Sequence, residues 1–202
     1  MSRTSFLSRE TIAATAIAIA DKEGFASVSM RRIALELGVG TMSLYHYVKT
    51  KADLIAAMDD ALMGEVLLPS VPENWRKALT EIALRTRAVF LRHAWALSSM
   101  LTAPPGINAM RHMEQCLQAL ARTGMTAREK LTLLAIIDDF VFGHALREAA
   151  NDPAMDFSFA KSQLNTGAFP RLVEVFGKGR LPAIPDRFQK GLHVLLDSVS
   201  DR

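Results

Sequence analysis

Residues 29–51 read SMRRIALELGVGTMSLYHYVKTK, and this stretch decides the class of fold. Its pattern predicts two short helices joined by a glycine-containing turn, which are the elements of a helix-turn-helix. Ala34 is small where the two helices would cross, and Gly38 can take the left-handed backbone conformation that a tight turn requires. Val39 and Leu44 would pack the second helix onto the first. The motif presents this second helix outward, where its side chains can enter the major groove of DNA.

The outer side of the motif carries side chains that suit contacts with DNA. Arg31 and Arg32 stand at the start of its first helix. The early turns of the second helix present Thr41, Met42, Ser43, Tyr45 and His46. Hydroxyl groups bond base edges or phosphates, and methionine offers an apolar contact to thymine methyl groups. Tyr47 and Lys51 flank this helix in places suited to clamping phosphates, and the first turn of a helix, where Lys51 lies, favours a phosphate.

A structural interpretation stands beside each of these assignments. The two tyrosines would pack between helices, and the two arginines would form a solvated face. His46 fits either interpretation equally well. The helix-turn-helix itself does not depend on how these alternatives are resolved.

Composition narrows the class of protein further. Half of the 202 residues are hydrophobic, and the apolar residues are mostly helix formers, which favours an all-α fold. The one cysteine, Cys116, excludes an intrachain disulfide and a cysteine-based metal site. The longest apolar run, residues 12–20, is much shorter than a membrane span. We therefore expect a cytoplasmic protein that has no membrane partner, no bound metal and no cofactor.

The net charge of +3 is unevenly distributed along the chain. Residues 1–52 hold seven Lys or Arg and four acidic residues, whereas the other 150 residues hold 17 of each. The whole positive excess therefore lies in the first quarter, where a contact with a polyanion would be expected.

Caps and helix breakers divide the chain into parts. Ser8 and Gly24 bound a first helix, and Ser29 caps a second helix that Gly38 ends. A third short helix spans roughly Thr41 to Tyr47, and Thr50 opens a fourth helix that runs to about Leu67. Residues 151–167 show no strong periodicity and are predicted to form a loop. Longer helices are predicted at about 73–93, 94–101, 106–123, 126–150, 169–177 and 186–200. The prediction is a three-helix DNA-binding domain at 1–50, a connecting helix at 51–68 and an all-α ligand-binding and dimerisation domain at 73–202.

The string LGVGTMSLYHYVKTKADL, residues 37–54, closely resembles the DNA-binding domain of tetracycline-repressor (TetR) family regulators. From Trp75 to about Glu148 the chain also resembles the all-α carboxy-terminal domain of the tetracycline-repressor subgroup. The resemblance implies a homodimeric repressor that binds a palindromic operator in double-stranded DNA and releases it when a small-molecule effector enters the carboxy-terminal core. It implies that Arg31, Thr41, Met42 and Tyr45 face bases, and that Ser29, His46, Tyr47 and Lys51 face the DNA backbone.

Departures from the tetracycline-repressor pattern bear on the effector. A histidine that those repressors offer to drug-bound magnesium corresponds to Met100, and their pocket asparagine corresponds to Ile82. A thioether is a poor ligand for magnesium, so we expect a less polar, metal-free effector. The candidate pocket residues are Leu67, Ile82, Thr86, Met100, Pro104, Met113, Cys116, Leu131, Leu134 and Asp138. For each apolar member, ordinary core packing is the alternative interpretation.

Asp138 continues an otherwise apolar helical stripe, where a charge is costly unless it is paired or hydrated. Three partners are open: a polar group of the effector, Arg147 of a second chain, or a buried water. The histidines at 93, 112 and 144 lack metal-ligand spacing, and we expect structural or surface roles for them.

The predicted helix at 126–150 is apolar on more than one face, which exceeds what burial in one small domain requires. The last helix adds a second apolar stripe, so two helices from each chain would form a four-helix interface in a homodimer. Two other functions remain open: a DNA-binding regulator controlled by a protein partner, and an all-α enzyme with a vestigial helix-turn-helix.

Overall fold

The computed structural model describes residues 7–100, 104–150, 158–176 and 186–199. Within these ranges the structure contains α-helices and one short 3-10 helix at Phe25–Ser27, and no β-strand. The all-α prediction is therefore confirmed. The helices are α1 Arg9–Glu23, α2 Met30–Leu37, α3 Thr41–Leu44, α4 Lys51–Val66, α5 Trp75–Arg92, α6 Ala96–Ser99, α7 Ile107–Ala119, α8 Ala127–Ala149, α9 Ser158–Leu164, α10 Pro170–Phe176 and α11 Arg187–Asp197. None of the helices in these ranges is long and apolar enough to cross a membrane.

Local capping signals set the ends of the amino-terminal helices. The Ser8 and Ser29 side chains accept hydrogen bonds from backbone N–H groups in the first turns of α1 and α2. Thr50 and Asp53 form a reciprocal capping box at the start of α4, with distances of 3.0 and 3.1 Å. These bonds satisfy N–H groups that a helix start leaves without partners, so the predicted helix starts are confirmed.

Two hydrophobic cores are joined by one helix. The amino-terminal core contains Leu54 and Met58 from the first half of α4. The larger core contains Leu62 and Val66 from the second half of the same helix, together with buried side chains of α5, α7, α8 and α11. The same helix therefore contributes side chains to both cores.

The prediction of a loop over 151–167 is wrong at α9. Residues 151–157 lie outside the described residues, but Ser158–Leu164 form a short helix. None of its residues is buried, so it has no apolar stripe from which its periodicity could be recognised. The third predicted helix is also shorter than expected, because the chain after Leu44 turns: the N–H groups of Tyr47 and Val48 both donate to the Leu44 carbonyl at 3.0 Å.

Candidate nucleic-acid interface

The turn between α2 and α3 has the conformation that the sequence predicts. Gly38 ends α2 in the left-handed region, with φ of 67°. The Val39 N–H donates to the Ala34 carbonyl at 3.0 Å, and this bond closes the turn. Ile33, Ala34 and Leu44 are buried on the inner side, so the opposite sides of both helices face outward.

The predicted DNA contacts lie on or beside this outward side. Met42 is 76% exposed, and Tyr45 and Tyr47 are 40% and 42% exposed. Arg31, His46 and Lys51 are exposed as well, whereas Thr41 and Ser43 are half-buried. The partial exposure of the tyrosines lets one side of each ring pack against the protein while the rest reaches solvent. Ser29, also exposed, uses its hydroxyl as an acceptor for the Arg32 N–H at 3.2 Å.

The two arginines at the start of α2 have different surroundings. The Arg32 guanidinium donates to Glu23 at 2.6 and 3.1 Å and to Glu36 at 2.8 Å. These bonds raise the pKa of Arg32 and lower the pKa of Glu23. Arg31 makes no hydrogen bond or ion pair with another residue in the described ranges. Arg32 therefore joins α1 to α2, whereas the Arg31 side chain is exposed.

Sequence reasoning missed two residues in this region. Arg9 of α1 donates to the Tyr47 carbonyl at 3.4 Å and to the Asp53 carbonyl at 3.2 Å, which ties the end of the turn after α3 to the first turn of α4. Leu35 lies on the outer side of α2 and is 75% exposed. The predicted pattern of inward and outward side chains gave no signal for either residue.

Hydrogen bonds connect the amino-terminal domain to α5 and α6. The Asp21 carboxylate of α1 accepts from the Trp95 indole N–H at 2.8 Å and lies 2.8 Å from His93 Nδ1. The Trp95 ring stacks on Phe25 with ring centroids 5.3 Å apart. His93 and Trp95 therefore join α1 to the segment between α5 and α6.

Asp59 and Asp60, adjacent residues of α4, accept hydrogen bonds from α6 and α7 respectively. Asp59 is buried, and its Oδ1 accepts from the Ser99 hydroxyl of α6 at 2.7 Å. Its Oδ2 has no hydrogen-bond partner among the described residues, and burial raises the Asp59 pKa to about 6. Asp60 Oδ1 accepts from the backbone N–H groups of Asn108 and Ala109 at 2.8 and 3.3 Å, at the amino terminus of α7.

A second set of hydrogen bonds joins the carboxyl end of α4 to α7. The Gln115 side chain accepts from the Leu68 N–H at 2.9 Å and donates to the Leu68 carbonyl at 2.8 Å. The Arg85 guanidinium of α5 donates to the Leu67 carbonyl at 2.9 Å. The carboxyl end of α4 is thus fixed to both α5 and α7.

The candidate effector residues divide by exposure. Ile82, Cys116 and Leu134 are buried in the larger core, whereas Leu67, Thr86 and Met100 are half-buried. Exposed members are Pro104, Met113, Leu131 and Asp138. None of the ten lines the cavity of about 710 Å³ between α8 and α11 or the cavity of about 690 Å³ between α5, α8 and α11.

A carboxyl and a thiol lie near one another among these candidates. The Asp138 side chain reaches solvent, but the protein atoms around it and the Asp139 carboxylate raise its pKa to about 6. Burial and the nearby Asp138 carboxylate raise the pKa of the Cys116 thiol to about 12. The thiol is therefore neutral at pH 7, and its sulfur lies 3.9 Å from His112 Nε2. In the described ranges, no cluster of three or more His, Cys, Asp or Glu residues could hold a metal ion.

Comparison with known proteins decides the family. Residues 12–58 match the family described as bacterial regulatory proteins, tetR family. Residues 68–202 match the family described as tetracyclin repressor-like, C-terminal domain. The chain belongs to the TetR family of transcriptional regulators. This confirms the resemblance seen in residues 37–54, and it makes the protein a DNA-binding transcriptional regulator and not an enzyme.

Individual TetR-family proteins match over nearly the whole chain. The HTH-type transcriptional repressor DrrR1 of Streptomyces coeruleorubidus is 33% identical, over 96% of this chain and 77% of its own length. The tetracycline repressor protein class E of Escherichia coli is 25% identical, over 96% of this chain and 91% of its own. The crystal structure of the TetR-family protein ActR of Streptomyces coelicolor in complex with actinorhodin is 28% identical, with a TM-score of 0.79, and covers 95% of this chain and 96% of that chain.

Proposed function

We propose that the protein is a homodimeric repressor that binds a palindromic operator and releases it when a small, metal-free effector binds the larger domain. In this proposal residues 1–50 read DNA, residues 51–68 connect the two cores, and residues 73–202 bind the effector and dimerise. Bases are contacted by Arg31, Thr41, Met42 and Tyr45, and the DNA backbone by Ser29, Ser43, His46, Tyr47 and Lys51.

The observation that carries the DNA-binding part is the difference between the two arginines of α2. Arg32 is satisfied by two glutamates, whereas its neighbour Arg31 has no partner in the described ranges and lies beside the exposed side of α3. An unpaired guanidinium next to Thr41 and Met42 is suited to bidentate contact with guanine in the major groove.

Exposed apolar side chains on α8 and α11 support the homodimer. Ile136 and Leu146 of α8 are 44% and 51% exposed, and Val194 of α11 is 70% exposed. The cavity of about 710 Å³ between these helices is lined partly by Ile136, Leu195 and Val199. A second copy packed there would cover this apolar surface, and two-fold symmetry would place two α3 helices on successive turns of DNA.

The bonds of α4 support release of DNA by an effector. Asp59 and Asp60 hold α6 and α7, and both neighbouring helices carry or adjoin candidate effector residues: Met100 follows α6, and Met113 and Cys116 lie on α7. An effector that binds one arrangement of α6 and α7 more tightly shifts α4 toward the matching arrangement. The spacing of the two DNA-binding domains changes with it.

The chemistry of the candidate residues favours a metal-free effector. Met100 offers only a thioether, and the thiol of Cys116 is neutral at pH 7, so neither is a suitable ligand for magnesium. Titration with tetracycline in the presence of magnesium is expected to give no tight binding. Saturable binding that disappears when magnesium is removed would refute this part of the proposal.

The experiment that tests the whole proposal is a selection of bound sequences from random DNA duplexes. We expect a palindrome to be enriched by the wild-type protein, and its half-site spacing to be close to one helical turn or a small multiple of it. The same selection with actinorhodin present, the compound bound to ActR, tests one candidate effector. The Arg31→Ala variant is the matched control, because it should fold normally and enrich a less specific set. Failure of the wild type to enrich any palindrome would refute the proposal.

A further inference from the structure

Leu35 is a large apolar side chain that extends into solvent from α2. It is 75% exposed, and Met42 on α3 is 76% exposed. These are the two most exposed large hydrophobic side chains among the described residues of the amino-terminal domain. A single surface leucine is ordinary in a protein. Two such side chains on the two helices of one helix-turn-helix need an explanation.

Leu35 lies in the wall of a groove between α2 and the start of α3. The groove has a volume of about 590 Å³ and also contains Arg31 and Thr41 in its walls. Because side chains four residues apart share one face of a helix, Leu35 lies on the same face as Arg31, one turn farther along. The walls of the groove thus include the unpaired Arg31 guanidinium, the hydroxyl groups of Ser29 and Thr41, and the isobutyl group of Leu35.

We propose that Leu35 is a specificity-determining residue that recognises the C5-methyl group of a thymine. An isobutyl group makes no hydrogen bond, so it gains nothing from a phosphate. In the major groove, the thymine methyl is the apolar group that distinguishes one base from the others. The proposal rests on the DNA-binding function proposed above, and adds a base-reading role for a residue of α2 that the helix-turn-helix pattern did not identify.

Charge around the leucine supports this contact. Glu36, the next residue, is held by Arg32 at 2.8 Å, so its carboxylate is directed into the protein's own ion pair and not toward DNA. Arg31, on the same face as Leu35, supplies the cation that brings the DNA close. Leu35 therefore approaches DNA without a free carboxylate of α2 beside it to repel the phosphates.

The test is a thymine-to-deoxyuridine scan of the selected operator, which removes one methyl group at a time and leaves every hydrogen-bonding group unchanged. Fluorescence anisotropy gives the dissociation constant for wild type, Leu35→Ala, Leu35→Met and Leu91→Ala. Leu91 is the matched control, since it is an exposed leucine of α5, 41% accessible, outside the DNA-binding domain. Thermal unfolding of each variant establishes that it is folded.

At one thymine of each half-site, we expect deoxyuridine to weaken wild-type binding about fourfold, the effect of losing one buried methyl group. Leu35→Ala should bind the thymine operator more weakly and lose the discrimination at that position. Leu35→Met and Leu91→Ala should keep it. If wild type binds the operator but no thymine shows a penalty that depends on residue 35, this inference is wrong and the DNA-binding proposal stands. If wild type enriches no operator at all, the DNA-binding proposal itself has failed.

Discussion

The buried carboxyl group of Asp59 is expected to cost the folded protein stability at neutral pH. Its side chain is 5% exposed in contact with α6, and the Ser99 hydroxyl at 2.7 Å is its hydrogen-bond donor. Burial raises the pKa of Asp59 from an ordinary 3.8 to about 6. Because the unfolded chain releases this proton at lower pH than the folded chain, folding becomes less favourable as pH rises from about 4 to 6, and the full cost applies above pH 6.

The size of this effect follows from the shift. Two pKa units correspond to about 3 kcal/mol, at roughly 1.4 kcal/mol per unit. Relaxation of the protein and access of water to a helix interface reduce this figure, and we expect Asp59→Asn to raise the free energy of unfolding by about 1–2 kcal/mol at pH 7.5. The asparagine retains a carbonyl oxygen that can accept from Ser99 and has no charge to bury. At pH 5 the gain should be about half as large, since Asp59 is then mostly protonated in the folded state.

Urea denaturation at pH 5 and at pH 7.5 measures both values. Ser99→Ala is the control, because it removes the donor that favours the carboxylate and should lower stability more at pH 7.5 than at pH 5. If Asp59→Asn changes the free energy of unfolding equally at both pH values, folding does not raise the Asp59 pKa and the reasoning is refuted.

Four further predictions concern residues of the DNA-binding domain and the glycine before α7. Arg31→Ala should weaken binding to the selected operator by about 1–3 kcal/mol, or roughly 5- to 150-fold, and leave the unfolding midpoint unchanged. Arg32→Ala should lower the unfolding midpoint and keep the base preference, because Arg32 is paired with two glutamates of the protein itself. If anisotropy and thermal unfolding instead show that Arg32→Ala changes the base preference and Arg31→Ala lowers the midpoint, the roles given to the two arginines are wrong. Lys51→Ala should weaken binding to all DNA sequences and reduce the slope of log affinity against log salt by about one, and an unchanged slope would exclude a phosphate contact. Gly106→Ala should lower the free energy of unfolding by about 1–3 kcal/mol, because an added Cβ would overlap the Asp60 carboxyl group. Urea denaturation with no loss of stability would show that Asp60 can move aside.

Sequence predicted the features that depend on neighbouring residues. Ser29 caps an N–H three residues later, the Thr50 capping box also spans three residues, and Gly38 acts through its own φ. Each of these signals lies within one helical turn, so the sequence alone displays it. Periodicity similarly predicted α5, α7 and α8, whose buried stripes recur along the helix.

Contacts between distant residues were not predictable in the same way. Asp21 and His93 are 72 residues apart, and Asp60 and Asn108 are 48 apart. The chain contains many other residues that could donate or accept each of these hydrogen bonds. Only the packing of α1 and α4 against the larger domain brings the observed partners together. The contacts that join the two cores could therefore be identified only from the structure.

Ion pairing changes what the net charge of residues 1–52 implies about contact with a polyanion. Residues 1–52 carry an excess of three positive charges, and the count includes Arg32 together with Glu23 and Glu36. Those three form one local network, so they contribute little field to an approaching polyanion beyond their net single negative charge. In the proposed DNA complex, the cations that remain around the helix-turn-helix, Arg31 and Lys51 among them, would be the ones that attract DNA. Salt dependence should consequently report on those two residues individually, whereas the net charge of the first quarter of the chain cannot separate them.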